Sequence, residues 1–164
     1  MRLFFAAWPP AATAAALHAW AEGLEGRVVA RENIHLTLAF LGEADAAKAI
    51  AAARRVRGAS HELPVEEARF WKKNEIVWAG PRELPLELER LVRSLQLELY
   101  RAEFILERRP FAAHVTLLRK AVEPGQMPPL PRVAWPVREF ALVGSRISSR
   151  GSTYEPVERF PLSE

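Results

Sequence analysis

Two short stretches bring together side chains able to act as acid, base and anion ligand: His35-Leu36-Thr37 and His114-Val115-Thr116. The 164 residues include four His and four Thr. Chance alone would give about 0.1 His-x-Thr matches at that abundance, so two matches, 79 residues apart, single out these four side chains. Two imidazoles that titrate near neutrality can serve as acid and base in one turnover. Two hydroxyls can donate hydrogen bonds to non-bridging phosphate oxygens. That set suits in-line displacement at phosphorus, with one His taking a proton from the incoming oxygen and the other protonating the leaving oxygen. Protons and hydrogen-bond donors handle the developing charge, so no metal is required. Arg119, five residues after His114, and Lys120 would add positive charge at the mouth of such a site.

A lone His on a strand is more often a packed residue than a catalyst, and Thr is ordinary strand chemistry. What favours function is the doubling in matched apolar surroundings, Ile-His-Leu-Thr-Leu and Ala-His-Val-Thr-Leu. On a strand, residues two apart face the same way. His35 and Thr37 should share one face, with Leu36 and Leu38 on the other, and His114 and Thr116 should do the same against Val115 and Leu117. His18 and His61 lack this setting and read as surface or helix residues. No His-x-x-x-His or carboxylate partner has ligand spacing, so neither metal nor cofactor is expected. Ser145, Ser148, Ser149 and Ser152 show no nucleophile-elbow pattern and read as turn residues.

The elements that must position these groups follow from periodicity. Residues 2 to 8 read as a buried strand and 10 to 24 as a helix with Leu17, Trp20 or Ala21, and Leu24 at helical spacing. Residues 34 to 41 alternate as a strand that Gly42 should end. Residues 44 to 57 read as an Ala-rich helix. Residues 62 to 70 and 75 to 79 read as a strand pair joined through Lys72-Lys73-Asn74. Leu84, Leu88, Leu91, Val92, Leu95 and Leu99 mark one face of a helix over 83 to 102. Residues 111 to 118 repeat the strand pattern of 34 to 41. Five prolines within 124 to 136 make a loop, and 140 to 147 and 153 to 160 close the chain as strands. This order predicts an α+β fold with largely antiparallel sheets, and the two His-x-Thr strands, each preceded by a helix, predict two related lobes within a single domain over 1 to 164.

Composition narrows the class further. Apolar residues at 49% and charged residues at 26% are those of a globular protein. No apolar run reaches the roughly 18 residues of a membrane-spanning helix. Pro9-Pro10 cuts short the apolar start, so a signal peptide is not expected. The absence of Cys excludes disulfides, a thiolate nucleophile and Cys-ligated zinc, and fits a reducing compartment. A net charge of +3, carried mostly by Arg, permits a polyanionic substrate. No P-loop or nucleotide-activating Lys motif is present, so ATP-driven ligation is not expected.

The paired motif and its flanks resemble the 2H phosphoesterases, in particular their bacterial RNA 2′,3′-cyclic phosphodiesterase (2′-5′ RNA ligase) branch. The resemblance runs along nearly the whole chain. It includes Arg2-Leu3-Phe4-Phe5-Ala6, the block from Glu32 to Gly42, Val77-Trp78, the block from Pro110 to Arg119, Tyr154, and Arg159-Phe160-Pro161-Leu162. The resemblance implies a bilobal fold, with two antiparallel sheets facing a central groove and helices outside. It implies metal-independent hydrolysis of RNA 2′,3′-cyclic phosphate ends to 2′-phosphates, with His35 as proton donor to the leaving 3′ oxygen and His114 as the base that activates water. Thr37, Thr116 and Arg119 would hold the phosphate, and Phe5 and Phe40 are candidates for base stacking. The expected partner is an RNA or oligonucleotide with a cyclic end, and the expected enzyme is a cytoplasmic monomer. Two alternatives use the same groove: a non-catalytic RNA-end or nucleotide-binding module, and a phosphodiesterase acting on another small cyclic phosphate.

Overall fold

The computed structural model describes residues 2–164. Its first strand, β1 (Arg2–Ala7), is apolar on both faces because both are covered: Leu3, Phe5 and Ala7 enter the main core, while Phe4 and Ala6 meet Ala141 and Val143 in a smaller cluster on the other side. After β1 come α1 (Ala11–Ala21), β2 (Arg27–Val28), a 3-10 turn (Arg31–Asn33), β3 (Leu36–Glu43), α2 (Ala46–Ala53), β4 (His61–Glu62), β5 (Glu67–Trp71) and β6 (Ile76–Gly80). The remainder is α3 (Leu86–Arg101), β7 (Val115–Arg119), β8 (Pro136–Val137), β9 (Glu139–Ser148) and β10 (Gly151–Pro161).

These strands form a first sheet in the order β10-β9-β1-β3, a second in the order β2-β7-β6-β5, and a two-stranded ribbon of β4 and β8. Every strand pair within them is antiparallel. The fold is therefore α+β with antiparallel sheets, as the element order predicts. One core draws Leu36 and Leu38 of β3, Leu117 and Leu118 of β7, Leu17 of α1, Ala49 and Ala52 of α2, and Leu88, Leu91, Leu95 and Leu99 of α3. Both large sheets thus commit one face to the same core. Their other faces carry the two His-x-Thr motifs.

Local chemistry shifts several boundaries. The last helix starts at Leu86 because Pro85 is extended at its N-cap, leaving Leu84 outside the helix and exposed. Asp45 accepts from the Lys48 amide, so α2 begins at Ala46 rather than Ala44, and it closes at Ala53 rather than Arg57. Gly42 does not end its strand: it takes φ +71° inside β3, opposite Leu3, and the ladder runs on to Glu43. The stretch 62 to 70 is two strands, since Pro64 lies between β4 and β5. Residues 111 to 114 lie ahead of β7, and β8 occupies the end of the proline-rich loop. Among the described residues no helix is long and apolar enough to cross a membrane.

Candidate active site

Both imidazoles stand at the entry to their strands, one residue ahead of β3 and of β7. Each donates Nδ1–H to the carbonyl two residues earlier, His35 to Asn33 at 2.7 Å and His114 to Ala112 at 3.0 Å. With Nδ1 so engaged, Nε2 is the nitrogen left for chemistry on each ring. His35 Nε2 lies 3.0 Å from Thr37 Oγ1, so the predicted His-Thr pairing on one face holds directly. Thr116 pairs with Trp78 across the β6–β7 ladder, and His114 packs against the Trp78 ring, which puts His114 and Thr116 on one face as well.

Arg119 reaches that face through a bulge. It lies three residues beyond Thr116, so strict alternation would turn it into the core. The β6–β7 register shifts between Val77 and Trp78, which makes Leu117 an extra residue. Leu117 and Leu118 are both fully buried, and Arg119 returns, exposed, to the face of Thr116. The first sheet repeats the device. Shifts in the β1–β3 ladder pair Thr37 with Ala6 and Phe40 with Phe4, so Thr37 and Phe40, also three apart, share the face that Phe4 and Ala6 occupy.

The two motifs occupy one electrostatic neighbourhood. Burial is the main cause that brings His35 down from the usual 6.5 to about 4, and the nearby charges of Arg119 and His114 push the same way against the bond to Asn33. Burial also lowers His114, aided by Arg119 and Arg109 and opposed by the bond to Ala112. Strands β3 and β7 approach each other, and the Arg119 charge bears on both rings. Among the described residues no cluster of His, Cys, Asp and Glu has the arrangement of a metal site.

Aromatic rings supply the burial. His35 stacks on Trp8 at 4.8 Å with an 18° interplanar angle, and Phe4 and Tyr154 close in at 5.2 and 5.3 Å. His114 sits 4.8 Å from Trp71 and 6.2 Å from Trp78. These five rings carried no role in the sequence reading, although Phe4 and Trp8 fall on one face of the strand read over 2 to 8 by simple alternation. Of the two rings considered for base stacking, Phe5 is ruled out: it is 0% exposed and packs against Phe140 and Phe160. Its neighbour Phe4 points to the site instead. Phe40 is 45% exposed on the site face, with the Arg2 guanidinium 5.1 Å over its ring. His18 and His61 lie elsewhere, His18 in α1 donating to the Val29 carbonyl and His61 in β4 donating to Ala59.

Two antiparallel sheets that each carry a His-x-Thr face, with one arginine bearing on both imidazoles, have the layout of a paired-histidine phosphoesterase. The LigT-like phosphoesterase family matches residues 8–78. An Escherichia coli (strain K12) protein named RNA 2′,3′-cyclic phosphodiesterase is 38% identical over 144 residues, covering 85% of this chain and 81% of its own. A Thermus thermophilus protein of the same name is 31% identical, covering 99% of this chain and 90% of its own. The crystal structure of apo E. coli LigT superposes with a TM-score of 0.91 at 35% identity, over 99% of this chain and 98% of that one. The chain belongs to the LigT-like phosphoesterase family.

Proposed function

We propose that the protein hydrolyses RNA 2′,3′-cyclic phosphate ends to 2′-phosphates by paired-histidine acid–base catalysis. His114 Nε2 takes a proton from water as the water oxygen attacks phosphorus. The P–O3′ bond breaks, and His35 protonates the leaving O3′, so the phosphate stays on O2′. Thr37 and Thr116 donate to the non-bridging oxygens, and Arg119 offsets their negative charge. The supporting observation is the matched engagement of both rings through Nδ1, which leaves each Nε2 free of the backbone, with the Arg119 charge bearing on both rings. Protons and donors are sufficient for this step, so no metal enters it. With a 5′-hydroxyl in place of water, the same step would be a weak ligation: His114 takes the hydroxyl proton, the 5′ oxygen bonds to phosphorus, P–O3′ breaks and His35 protonates O3′, leaving a 2′-5′ linkage.

Both histidines come from one chain, so a monomer suffices, and the cysteine-free sequence suits the cytoplasm. The test is incubation with a 2′,3′-cyclic nucleotide in the presence of chelator, with the product identified by phosphorus NMR. A 2′-phosphate is expected. A 3′-phosphate would reverse the roles of the two histidines, and no turnover would defeat the enzyme assignment.

A further inference from the structure

The turn joining β5 to β6 carries Lys72 and Lys73, both exposed, and neither enters an ion pair among the described residues. The carboxylate in that turn, Glu75, bridges to neither. The turn is anchored beside the site. The Ala121 amide donates to the Glu75 carbonyl at 2.9 Å, tying the turn to the segment that follows Arg119 and Lys120. On the other side of β7, Arg27 pairs with Arg119 in the β2–β7 ladder. Arg27, Lys72, Lys73, Arg119 and Lys120 therefore line one end of the second sheet, with Lys72 and Lys73 at its β5 corner, all exposed and none bridged to a carboxylate among the described residues. Gathering like charges opposes folding unless an anion takes the place.

The first sheet differs. Its recess beside Trp8 and Tyr154, about 420 Å³, is bordered by Glu32 and Glu139, and its Arg159 is held by Glu139 at 3.1 Å. Beside that recess a polyanion meets carboxylates, whereas at the β5–β6 turn it meets unpaired cations. We propose that the Lys72–Lys73 corner binds the phosphodiester backbone of the nucleotides immediately upstream of the cyclic end, so that the protein acts on oligonucleotide ends faster than on mononucleoside cyclic phosphates. This rests on the phosphodiesterase assignment and adds a path for the strand.

The test compares kcat/KM on a mononucleoside 2′,3′-cyclic phosphate and on a short oligoribonucleotide with the same terminal base, over a range of salt. The wild type should favour the oligonucleotide, with an advantage that falls with salt by a log–log slope of about 0.7 for each phosphate contacted. The double variant Lys72→Gln/Lys73→Gln should lower the oligonucleotide value about fivefold or more at low salt and flatten that slope. Its mononucleotide value should match the wild type, which also reports an intact fold. A wild type without an oligonucleotide advantage overturns the proposal while leaving the hydrolase intact. So does a double variant that keeps the advantage, or its loss instead in Arg146→Gln/Arg150→Gln, at the end of β9 and on the β9–β10 turn. Turnover of neither substrate removes the phosphodiesterase assignment, and this path with it.

Discussion

His35 and His114 are chemically identical side chains placed in unequal surroundings. Trp8, Phe4 and Tyr154 desolvate His35 and bring it to about 4, and His114 is also lowered, so both rings are neutral in the free protein at pH 7. The proposed mechanism needs His35 protonated and His114 neutral. A pKa near 4 leaves about one His35 in a thousand protonated at pH 7. Raising pH through the His35 value removes the acid, and lowering it through the His114 value removes the base. The profile of kcat/KM, which follows the free enzyme, should therefore peak below pH 6.5. Bound phosphate is negative and raises both rings, so kcat should peak at higher pH than kcat/KM. Pre-steady-state or steady-state profiles on a 2′,3′-cyclic nucleotide test this, and a kcat/KM still climbing above pH 7 would contradict it.

At the scale of elements, the site depends on how closely β6 approaches the segment ahead of β7. A methyl group on Gly80 would stand 2.5 Å from the Ala113 carbonyl oxygen, so this position must lack a side chain. Gly80→Ala should cost about 1–3 kcal/mol through overpacking. It should also lower kcat, because the displaced residue immediately precedes His114. Thermal unfolding and turnover measured on the same preparation check both, and an unchanged Tm would refute the crowding. The periodicity of α3, the apolar run of β1 and the alternation of β3 were legible because they depend on which residues are apolar. Strand ends and the break at Pro64 were less so, because a strand ends where its partner's ladder ends. Arg119 was named as an assistant from its nearness in sequence to His114, yet its place on the site face depends on the bulge at Leu117, which belongs to the register with β6.

For the whole molecule, the two sheets are useful only together. Removing either His should lower kcat by about 10²- to 10⁴-fold. Because the proposed mechanism sets both on one phosphate, His35→Ala/His114→Ala should be about as slow as the slower single variant. Fully additive losses in this double-mutant cycle would mean that the rings work independently. The sequence by itself determined the two matched His-x-Thr motifs, the α+β class, the apolar faces and the resemblance that leads to cyclic phosphate, since residue type and short-range spacing carry all of these. Only the tertiary structure decided that Phe4 and Trp8 rather than Phe5 face the site, that Arg119 joins Thr116 through a bulge, and that each ring gives Nδ1–H to a carbonyl. Those outcomes depend on strand register and on packing between residues far apart in the chain, which local spacing does not contain.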